Sequence, residues 1–239
     1  MKHALVTGGS GGIGAATCRR LAADGYHVLI HANRNLDTAQ LLADDITANG
    51  GSVQVVQFDV TDHQAVVDTL TPLIEYTPIQ VLVNNAGIHD DAIFPGMCID
   101  QWQRVMDVSV NGFYSVTHTL MMPMIRSRWG RIINVSSIAA ITGNRGQVNY
   151  SAAKGALNAA TKALAQEVAS RGITVNAVAP GIIDTAMSEQ TFNAEDIGRM
   201  VPMKRAGKPS EVADLISFLA SPQAAYITGQ IISINGGMI

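Results

Sequence analysis

The chain has 239 residues, of which 47% are apolar and 15% are charged, and its formal net charge is −3. This length allows one large α/β domain or two small ones. The slight acidity excludes a general attraction to nucleic acid, and no apolar run is long enough to cross a membrane. The apolar content suits helix faces buried between subunits, so we expect an oligomer. Cys18 and Cys98 lack metal-ligand spacing, which indicates buried thiols in a reducing compartment, the cytoplasm.

Segments typical of strands and helices alternate along the chain, which begins with a strand rather than a signal peptide. Strands are predicted at Ala4–Val6, Val28–Ile30, Val53–Phe58, Val81–Val83, Arg131–Val135, Thr174–Val178 and Ile231–Ile234. Helices are predicted at Ile13–Ala23, Leu36–Ala48, Ala65–Glu75, Gln101–Arg128 (as one helix or two), Asn149–Ser170 and Glu211–Leu219. Because strands this apolar are buried on both faces, we expect a Rossmann fold, a doubly wound parallel sheet of about seven strands with helices on both faces.

No linker or internal repeat divides the chain, so residues 1–239 are predicted to form a single domain. The least regular stretch is residues 182–208, which ends in a Lys-Pro pair. We predict that this stretch is a lid over a site. The alternative is an ordinary surface excursion.

A glycine-rich turn joins the first predicted strand to the first predicted helix and reads TGGSGGIG from Thr7 to Gly14. Such a turn lets bare backbone approach a pyrophosphate at a helix N-terminus, where free N–H groups favour anions. Its glycines fit two templates, GxGxxG from Gly9 and TGxxxGxG from Thr7. The turn therefore predicts a nucleotide site, although the residues alone leave the template open.

The end of the second strand selects between dinucleotide cofactors. An acid there would bind the adenosine ribose, whereas this chain has Asn33 and Arg34, which can bind a 2′-phosphate and so favour NADP(H). The alternative is that Arg34 is a solvated loop charge. Asp59 can accept a hydrogen bond from the adenine amine or cap the helix near Thr61. After the fourth strand, Asn84–Gly87 offers two amides that reach the ribose and two small residues that leave room for the cofactor.

Tyr150 and Lys154 are four residues apart on a predicted helix, so both side chains lie on one face. A nearby ammonium favours the phenolate and lowers the tyrosine pKa. The pair therefore predicts a proton donor and acceptor for carbonyl reduction or alcohol oxidation. The alternative is a surface lysine that covers a half-buried tyrosine.

In their order and spacing, Thr7–Gly14, Asn84–Gly87, Ser137 and Tyr150–Lys154 resemble the motifs of the short-chain dehydrogenase/reductase family over the whole chain. The resemblance implies a dinucleotide-binding and catalytic domain. It also selects the TGxxxGxG template, with Gly8, Gly12 and Gly14. It also implies a catalytic tetrad of Asn111, Ser137, Tyr150 and Lys154. The implied cofactor contacts are Gly8, Ser10, Gly12, Ile13, Gly14, Asn33, Arg34, Asp59, Val60, Asn85, Ala86, Gly87, Tyr150, Lys154, Pro180, Gly181, Ile183 and Thr185.

The resemblance gives each tetrad residue a role. Tyr150 would protonate the alkoxide as hydride arrives from the nicotinamide, and Lys154 would lower the Tyr150 pKa and hold the nicotinamide ribose. Ser137 would stabilise the developing oxyanion; Ser136 fits the family's interval less well. Asn111 would hold a water that relays protons to Lys154. The alternatives are serines that cap a loop and an asparagine that kinks a helix.

Within the family, the chain is most similar to the 3-oxoacyl-[acyl-carrier-protein] reductases, in stretches such as WGRIIN from Trp129 and RGITVN from Arg171. This resemblance implies a homotetramer that uses NADPH to reduce a carrier-linked 3-oxoacyl thioester. It also implies that Arg128 and Arg171 dock the acidic carrier protein beside the mouth of the site. The alternative is a short-chain dehydrogenase that acts on a small free ketone or alcohol. A non-catalytic nucleotide sensor is disfavoured, because the tetrad looks intact.

Three features depart from the usual reductase pattern. His89–Asp91 carries acid where a basic residue is usual, Gly11 replaces a basic residue in the glycine turn, and Arg145 lies near the predicted entrance. These departures predict a specialised reductase, for example one that serves polyketide or polyene synthesis.

Overall fold

The computed structural model describes residues 1–185 and 193–239. Seven strands form one parallel sheet in the order β3-β2-β1-β4-β5-β6-β7. The strands are β1 (His3–Val6), β2 (His27–Ala32), β3 (Ser52–Gln57), β4 (Ile79–Asn84), β5 (Gly130–Val135), β6 (Ile173–Pro180) and β7 (Ile231–Ile234). All seven predicted strands and the doubly wound sheet are therefore confirmed.

The helices of the described residues follow the predicted order. They are α1 (Gly12–Ala23), α2 (Leu36–Ala48), α3 (His63–Tyr76), α4 (Ile99–Met106), α5 (Gly112–Ser127), α6 (Ala139–Thr142), α7 (Val148–Val168), α8 (Ala194–Met200) and α9 (Pro209–Ala220). The segment predicted at Gln101–Arg128 is two helices joined by a π-helical turn, Asp107–Asn111. The sequence did not predict α6 or α8. The predicted lid, residues 182–208, contains α8. Residues 186–192 of this lid lie outside the described ranges.

Helices cover both faces of the sheet, because its central strands are mostly apolar and buried. On one face, Leu21 of α1 and Ile216 of α9 belong to one buried cluster. On the other face, Leu70 of α3, Leu120 of α5 and Val168 of α7 belong to a second cluster. Because all the strands are parallel, their carboxyl ends lie at one edge of this covered sheet, which is where such sheets bind their ligands.

A chain of buried polar side chains crosses the middle of the fold. Asn84 and Asn134 are neighbours in β4 and β5, and Asn84 Nδ2 donates to Asn134 Oδ1 at 2.9 Å and to Thr117 Oγ1 of α5 at 3.1 Å. Asn134 Nδ2 donates to Thr161 Oγ1 of α7 at 2.8 Å. Because buried polar groups are costly unless they are paired, this chain fixes how α5 and α7 sit against the sheet.

The two thiols have different environments. Cys18 is buried, as predicted, and burial raises its pKa strongly. Cys98 is exposed, so the prediction that both thiols are buried is wrong; Cys98 lies at the start of α4 on the surface. Among the described residues, no helix combines the length and the apolar character needed to cross a membrane.

Candidate active site

A cavity of about 490 Å³ lies along the carboxyl edge of the sheet. It reaches from the glycine turn after β1 to the start of α7. Its lining includes these predicted site residues: Gly8, Gly12, Ile13, Asn85, Ala86, Gly87, Ser137, Tyr150, Lys154, Pro180, Gly181, Ile183 and Thr185. The structure thus brings together residues from five separate segments of the chain.

The glycine turn presents bare backbone to one end of the cavity. Gly8 has a φ of +61°, a conformation that residues with a side chain rarely adopt. A Cβ on Gly14 would lie 2.2 Å from the Gly8 carbonyl oxygen, so only glycine allows this close packing of turn and helix. No side chain caps the N-terminus of α1, which leaves its first N–H groups available to an anion. The turn therefore fits a dinucleotide pyrophosphate.

Thr7 and Asn85 attach the glycine turn to the end of β4. Asn85 Nδ2 donates to the Thr7 and Gly8 carbonyl oxygens at 2.9 and 3.0 Å. Thr7 Oγ1 accepts from the backbone N–H groups of Asn85 and Ala86, each at 3.0 Å. Asn85 therefore helps to shape the cavity as well as to line it.

His31 is a buried support of the turn that the sequence reasoning missed. Its Nδ1 accepts from the Gly8 N–H at 3.0 Å, and its Nε2 lies 2.9 Å from the Phe58 carbonyl oxygen. Nδ1 must therefore be unprotonated while Nε2–H donates, which is the neutral imidazole. Burial lowers the His31 pKa to about 4, which keeps it neutral near pH 7. The only signal in the sequence was a polar residue within an apolar strand.

Asn33 and Arg34 follow β2 on an exposed surface, outside the cavity lining. Partial burial raises the pKa of the neighbouring Asp59, but hydrogen bonds from Thr61 and Asn33 and the charge of Arg34 outweigh it and lower that pKa. Asp59 caps the turn before α3 by accepting from Thr61, whereas Asp62 caps the helix itself. Arg34 makes no hydrogen bond or ion pair to residues 1–185 or 193–239, so its guanidinium remains available.

The other predicted cofactor contacts outside the lining are Ser10, Gly14 and Val60. Gly14 contributes close packing, as described above. Val60 is buried, and its Cγ2 would lie 2.9 Å from a Cβ on Gly112. Val60 therefore packs the start of α5.

Tyr150, Ser137 and Lys154 form the chemical centre of the cavity. A hydrogen bond from the Ser137 side chain favours the Tyr150 phenolate, and Lys154 Nζ lies 5.7 Å from the centre of the tyrosine ring. Lys154 Nζ donates to the Val135 carbonyl oxygen at 2.8 Å. The less favoured Ser136 is buried and its hydroxyl donates to the Lys154 carbonyl oxygen at 3.3 Å. Ser137 is therefore the serine that faces the tyrosine.

The pKa of Tyr150 differs in direction from the sequence-based expectation. Burial and the charge of Asp91 raise it and outweigh the hydrogen bond from Ser137. Lys154 is itself buried, which lowers its own pKa to about 8. The net direction of the Tyr150 pKa is thus opposite to the expected one in this structure, because desolvation dominates. Tyr150 is held in its protonated form.

The side chain of Asn111 does not join this cluster, so its assignment to the tetrad stays a prediction. Its side chain is exposed, lies outside the cavity lining, and donates to Asp107 Oδ1 at 2.7 Å. It is the last residue of the π-helical turn, where the wider turn changes which residues face inward. Ser109 is the buried side chain of that turn, and its hydroxyl has no partner in the described chain.

Arg128 and Arg171 lie side by side but far from the cavity of their own chain. Arg128 Nη2 donates to the Ser170 carbonyl oxygen at 3.1 Å, and both arginines are exposed. They precede β5 and β6, at the amino edge of the sheet, whereas the cavity lies at the carboxyl edge. With a rise of about 3.3 Å per strand residue, roughly 20 Å separates the pair from Ser137. The expectation that they flank the mouth of this cavity is wrong.

Comparisons with known proteins cover nearly the whole chain. A family model described as short chain dehydrogenase matches residues 2–196. A 3-oxoacyl-[acyl-carrier-protein] reductase of Aggregatibacter actinomycetemcomitans is 43% identical over 236 residues, 98% of this chain and 98% of that protein. A reductase of the same description from Synechocystis sp. is 46% identical over 238 residues, 99% and 96% of the two chains. An acetoacetyl-CoA reductase of Rhizobium meliloti is 45% identical over 239 residues, 98% and 97%.

Acid should destabilise the fold through His31. The unfolded chain binds the imidazole proton near the ordinary pKa of 6.5, whereas the folded chain resists it until about pH 4. The unfolded state therefore holds more protons between these values, so the free energy of unfolding falls as pH falls through the window, by about 3 kcal/mol. We expect urea unfolding of His31→Gln to show a shallower pH dependence than that of the wild type.

The matched control is His118→Gln, at an exposed histidine of α5. Its unfolding free energy should follow the wild-type pH dependence. Curves for His31→Gln and wild type that stay parallel between pH 7.5 and 4.5 would contradict the assignment.

Proposed function

The chain belongs to the short-chain dehydrogenase family and is an oxidoreductase; from this starting point we propose that it uses NADPH to reduce a 3-oxoacyl thioester to the 3-hydroxyacyl form. The observation that carries the proposal is the cluster of Tyr150, Ser137 and Lys154 in the cavity that the glycine turn also lines. A proton donor and a backbone cradle for a phosphate in one cavity suit hydride transfer to a carbonyl.

The residues of the turn fit a nicotinamide dinucleotide. The free N–H groups of α1 and the close backbone of Gly8 would hold the pyrophosphate, and Lys154 would hold the nicotinamide ribose. A Cβ on Gly87 would lie 3.0 Å from Lys154 Nζ, so glycine keeps this part of the cavity open. When bound, the cofactor supplies the hydride that the carbonyl carbon accepts.

The protein's part of the reaction is to place and protonate the carbonyl oxygen. Ser137 and Tyr150 donate hydrogen bonds to that oxygen, which stabilise the charge that develops there. Tyr150 then gives its proton to the oxygen, so the ketone becomes an alcohol and the tyrosine becomes a phenolate. The raised Tyr150 pKa keeps the proton in place until this charge develops. Lys154, whose pKa is about 8, stabilises the phenolate and helps to return the proton.

Arg34 supports NADPH over NADH. Its guanidinium makes no hydrogen bond or ion pair within residues 1–185 and 193–239. Arg34 follows β2, where a dinucleotide's adenosine ribose lies in Rossmann folds. A 2′-phosphate would give it a charge-assisted hydrogen bond. Asn33 stands beside it and donates a hydrogen bond to Asp59.

The names of the relatives support a 3-oxoacyl thioester as substrate, either carrier-linked or linked to coenzyme A. If Arg128 and Arg171 dock an acidic carrier, their position at the amino edge means that they serve the cavity of a neighbouring subunit. The homotetramer and the lid at residues 182–208 remain predictions of the same proposal. So does the specialised role in polyketide or polyene synthesis.

Cofactor oxidation tests the proposal. With acetoacetyl-coenzyme A, we expect NADPH oxidation with a kcat/KM at least about tenfold above that for NADH. Arg34→Ala should raise the KM for NADPH by roughly 10- to 100-fold and leave NADH almost unchanged, because one charge-assisted hydrogen bond is lost.

Arg19→Ala is the matched control, because Arg19 is an exposed arginine that pairs with Asp45. It should keep the wild-type preference for NADPH. A wild-type preference for NADH would overturn the cofactor assignment. Turnover confined to small free ketones would instead favour the alternative dehydrogenase.

The exposed side chain of Asn111 gives a second prediction. Asn111→Ala should leave kcat within about twofold, since Asp107 is the one hydrogen-bond partner of its side chain among the described residues. Ser137→Ala should lower kcat at least about tenfold, because one donor to the developing oxyanion is lost. A loss for Asn111→Ala as large as that for Ser137→Ala would return Asn111 to the catalytic cluster.

A further inference from the structure

Four side chains form a hydrogen-bonded polar wall beside the reacting tyrosine: His89, Asp91, Asn144 and Gln147. Three of them, all except Asp91, line the cavity. His89 Nδ1 lies 3.1 Å from Asp91 Oδ1, and Gln147 Nε2 donates to Asp91 Oδ2 at 2.8 Å. Asn144 Nδ2 donates to Gln147 Oε1 at 2.8 Å. None of these residues belongs to the catalytic cluster described above.

The backbone fixes the polar wall in place. The Ala92 N–H donates to the Gly146 carbonyl oxygen at 2.9 Å, which joins the two loops that carry the wall. Asn149 Nδ2 donates to the Asp90 carbonyl oxygen at 2.9 Å, and Asn149 directly precedes Tyr150. The wall and the tyrosine are therefore anchored together.

The direction of these hydrogen bonds determines what His89 offers to the cavity. An ionised carboxylate only accepts, so Asp91 requires a proton on Nδ1 of His89. In the neutral imidazole, Nε2 then carries a lone pair and no proton. Nε2 has no hydrogen-bond partner within residues 1–185 and 193–239. With a neutral ring, His89 therefore has an acceptor at Nε2, and the residue lines the cavity.

His89 is linked to the chemistry through Asp91, and it shares the cavity with apolar side chains. The Asp91 carboxylate is close enough for its charge to raise the Tyr150 pKa, and His89 is its direct partner. Ile138, Ile182, Met200 and Met238 also line the cavity. A substrate in this cavity meets both the polar wall and apolar side chains, so a donor that reaches Nε2 would be selected.

We propose that His89 is a specificity-determining residue, whose Nε2 accepts a hydrogen bond from a donor group of the substrate while Asp91 and Gln147 hold the ring in position. This proposal rests on the proposed reduction of a 3-oxoacyl thioester. Two parts of such a substrate carry a donor: the amide N–H of the thioester arm, and a hydroxyl on the acyl chain. The shared chemistry is a hydrogen-bond donor within reach of the reacting ketone.

Three small thioesters separate these two sources. S-ethyl acetothioacetate has no donor, S-acetoacetyl-N-acetylcysteamine adds the amide N–H of the arm, and S-ethyl 4-hydroxy-3-oxobutanethioate adds a hydroxyl on the chain. The measured quantity is kcat/KM of each donor-bearing thioester divided by that of the first. We measure it with NADPH at pH 8, where histidine is ordinarily neutral.

For one of the two donors, His89→Phe should lower this ratio about five- to tenfold, as expected for the loss of one neutral hydrogen bond. The change should lie in KM, with kcat for S-ethyl acetothioacetate within about twofold of wild type. His89→Gln keeps an acceptor and should retain more of the ratio than His89→Phe. His118→Phe, outside the cavity lining, is the matched control and should leave every ratio unchanged.

The outcomes distinguish the two proposals. If the wild type reduces none of the three thioesters, the proposed function fails. If it reduces them but both ratios are the same in wild type and His89→Phe, the assignment of His89 is overturned. A fall in the amide ratio identifies the thioester arm as the donor, and a fall in the hydroxyl ratio identifies the acyl chain.

Discussion

The buried ammonium of Lys154 is the constraint on which the candidate site depends. It is nearly inaccessible to solvent, and its Nζ donates to the Val135 carbonyl oxygen at 2.8 Å. A buried charge without partners is costly, so Lys154 must keep its hydrogen bond to Val135. This requirement fixes the first turns of α7 against the end of β5 and against Gly87. Below it, Asn134 and Thr161 connect the same two elements. The position of Tyr150, one turn before Lys154, follows from this arrangement.

The two ends of the cavity are built by different means. Around the glycine turn, backbone groups do the binding, and side chains such as Asn85 and His31 act by holding that backbone. Around Tyr150, side chains meet the substrate, and their charge states decide what they can do. Burial keeps the tyrosine protonated and weakens the hold of the lysine on its proton, which prepares both groups for proton transfer.

Regular patterns in the sequence predicted most of this arrangement. Apolar strands that alternate with helices indicated the parallel sheet, and the spacing of Tyr150 and Lys154 placed both on one helix face. The π-helical turn before α5 could not be predicted, because it departs from the ordinary helical period. Asn111 was taken from the family resemblance, which does not show how this turn directs its side chains, and Ser109 was missed. His31 was missed because its partners, Gly8 and Phe58, are distant in sequence. Arg128 and Arg171 lie far from the cavity because they precede β5 and β6, at the amino edge of the sheet. The family resemblance alone did not reveal this separation.

The central claim is that Tyr150 gives its proton to the substrate oxygen while the glycine turn holds the cofactor independently. The most direct test is to measure kcat and NADPH affinity, the latter by fluorescence titration, on the same preparation of Tyr150→Phe. We expect kcat with acetoacetyl-coenzyme A to fall at least about 100-fold, because general acid catalysis is lost. The NADPH Kd should stay within about threefold of wild type. A kcat within tenfold of wild type would contradict the account.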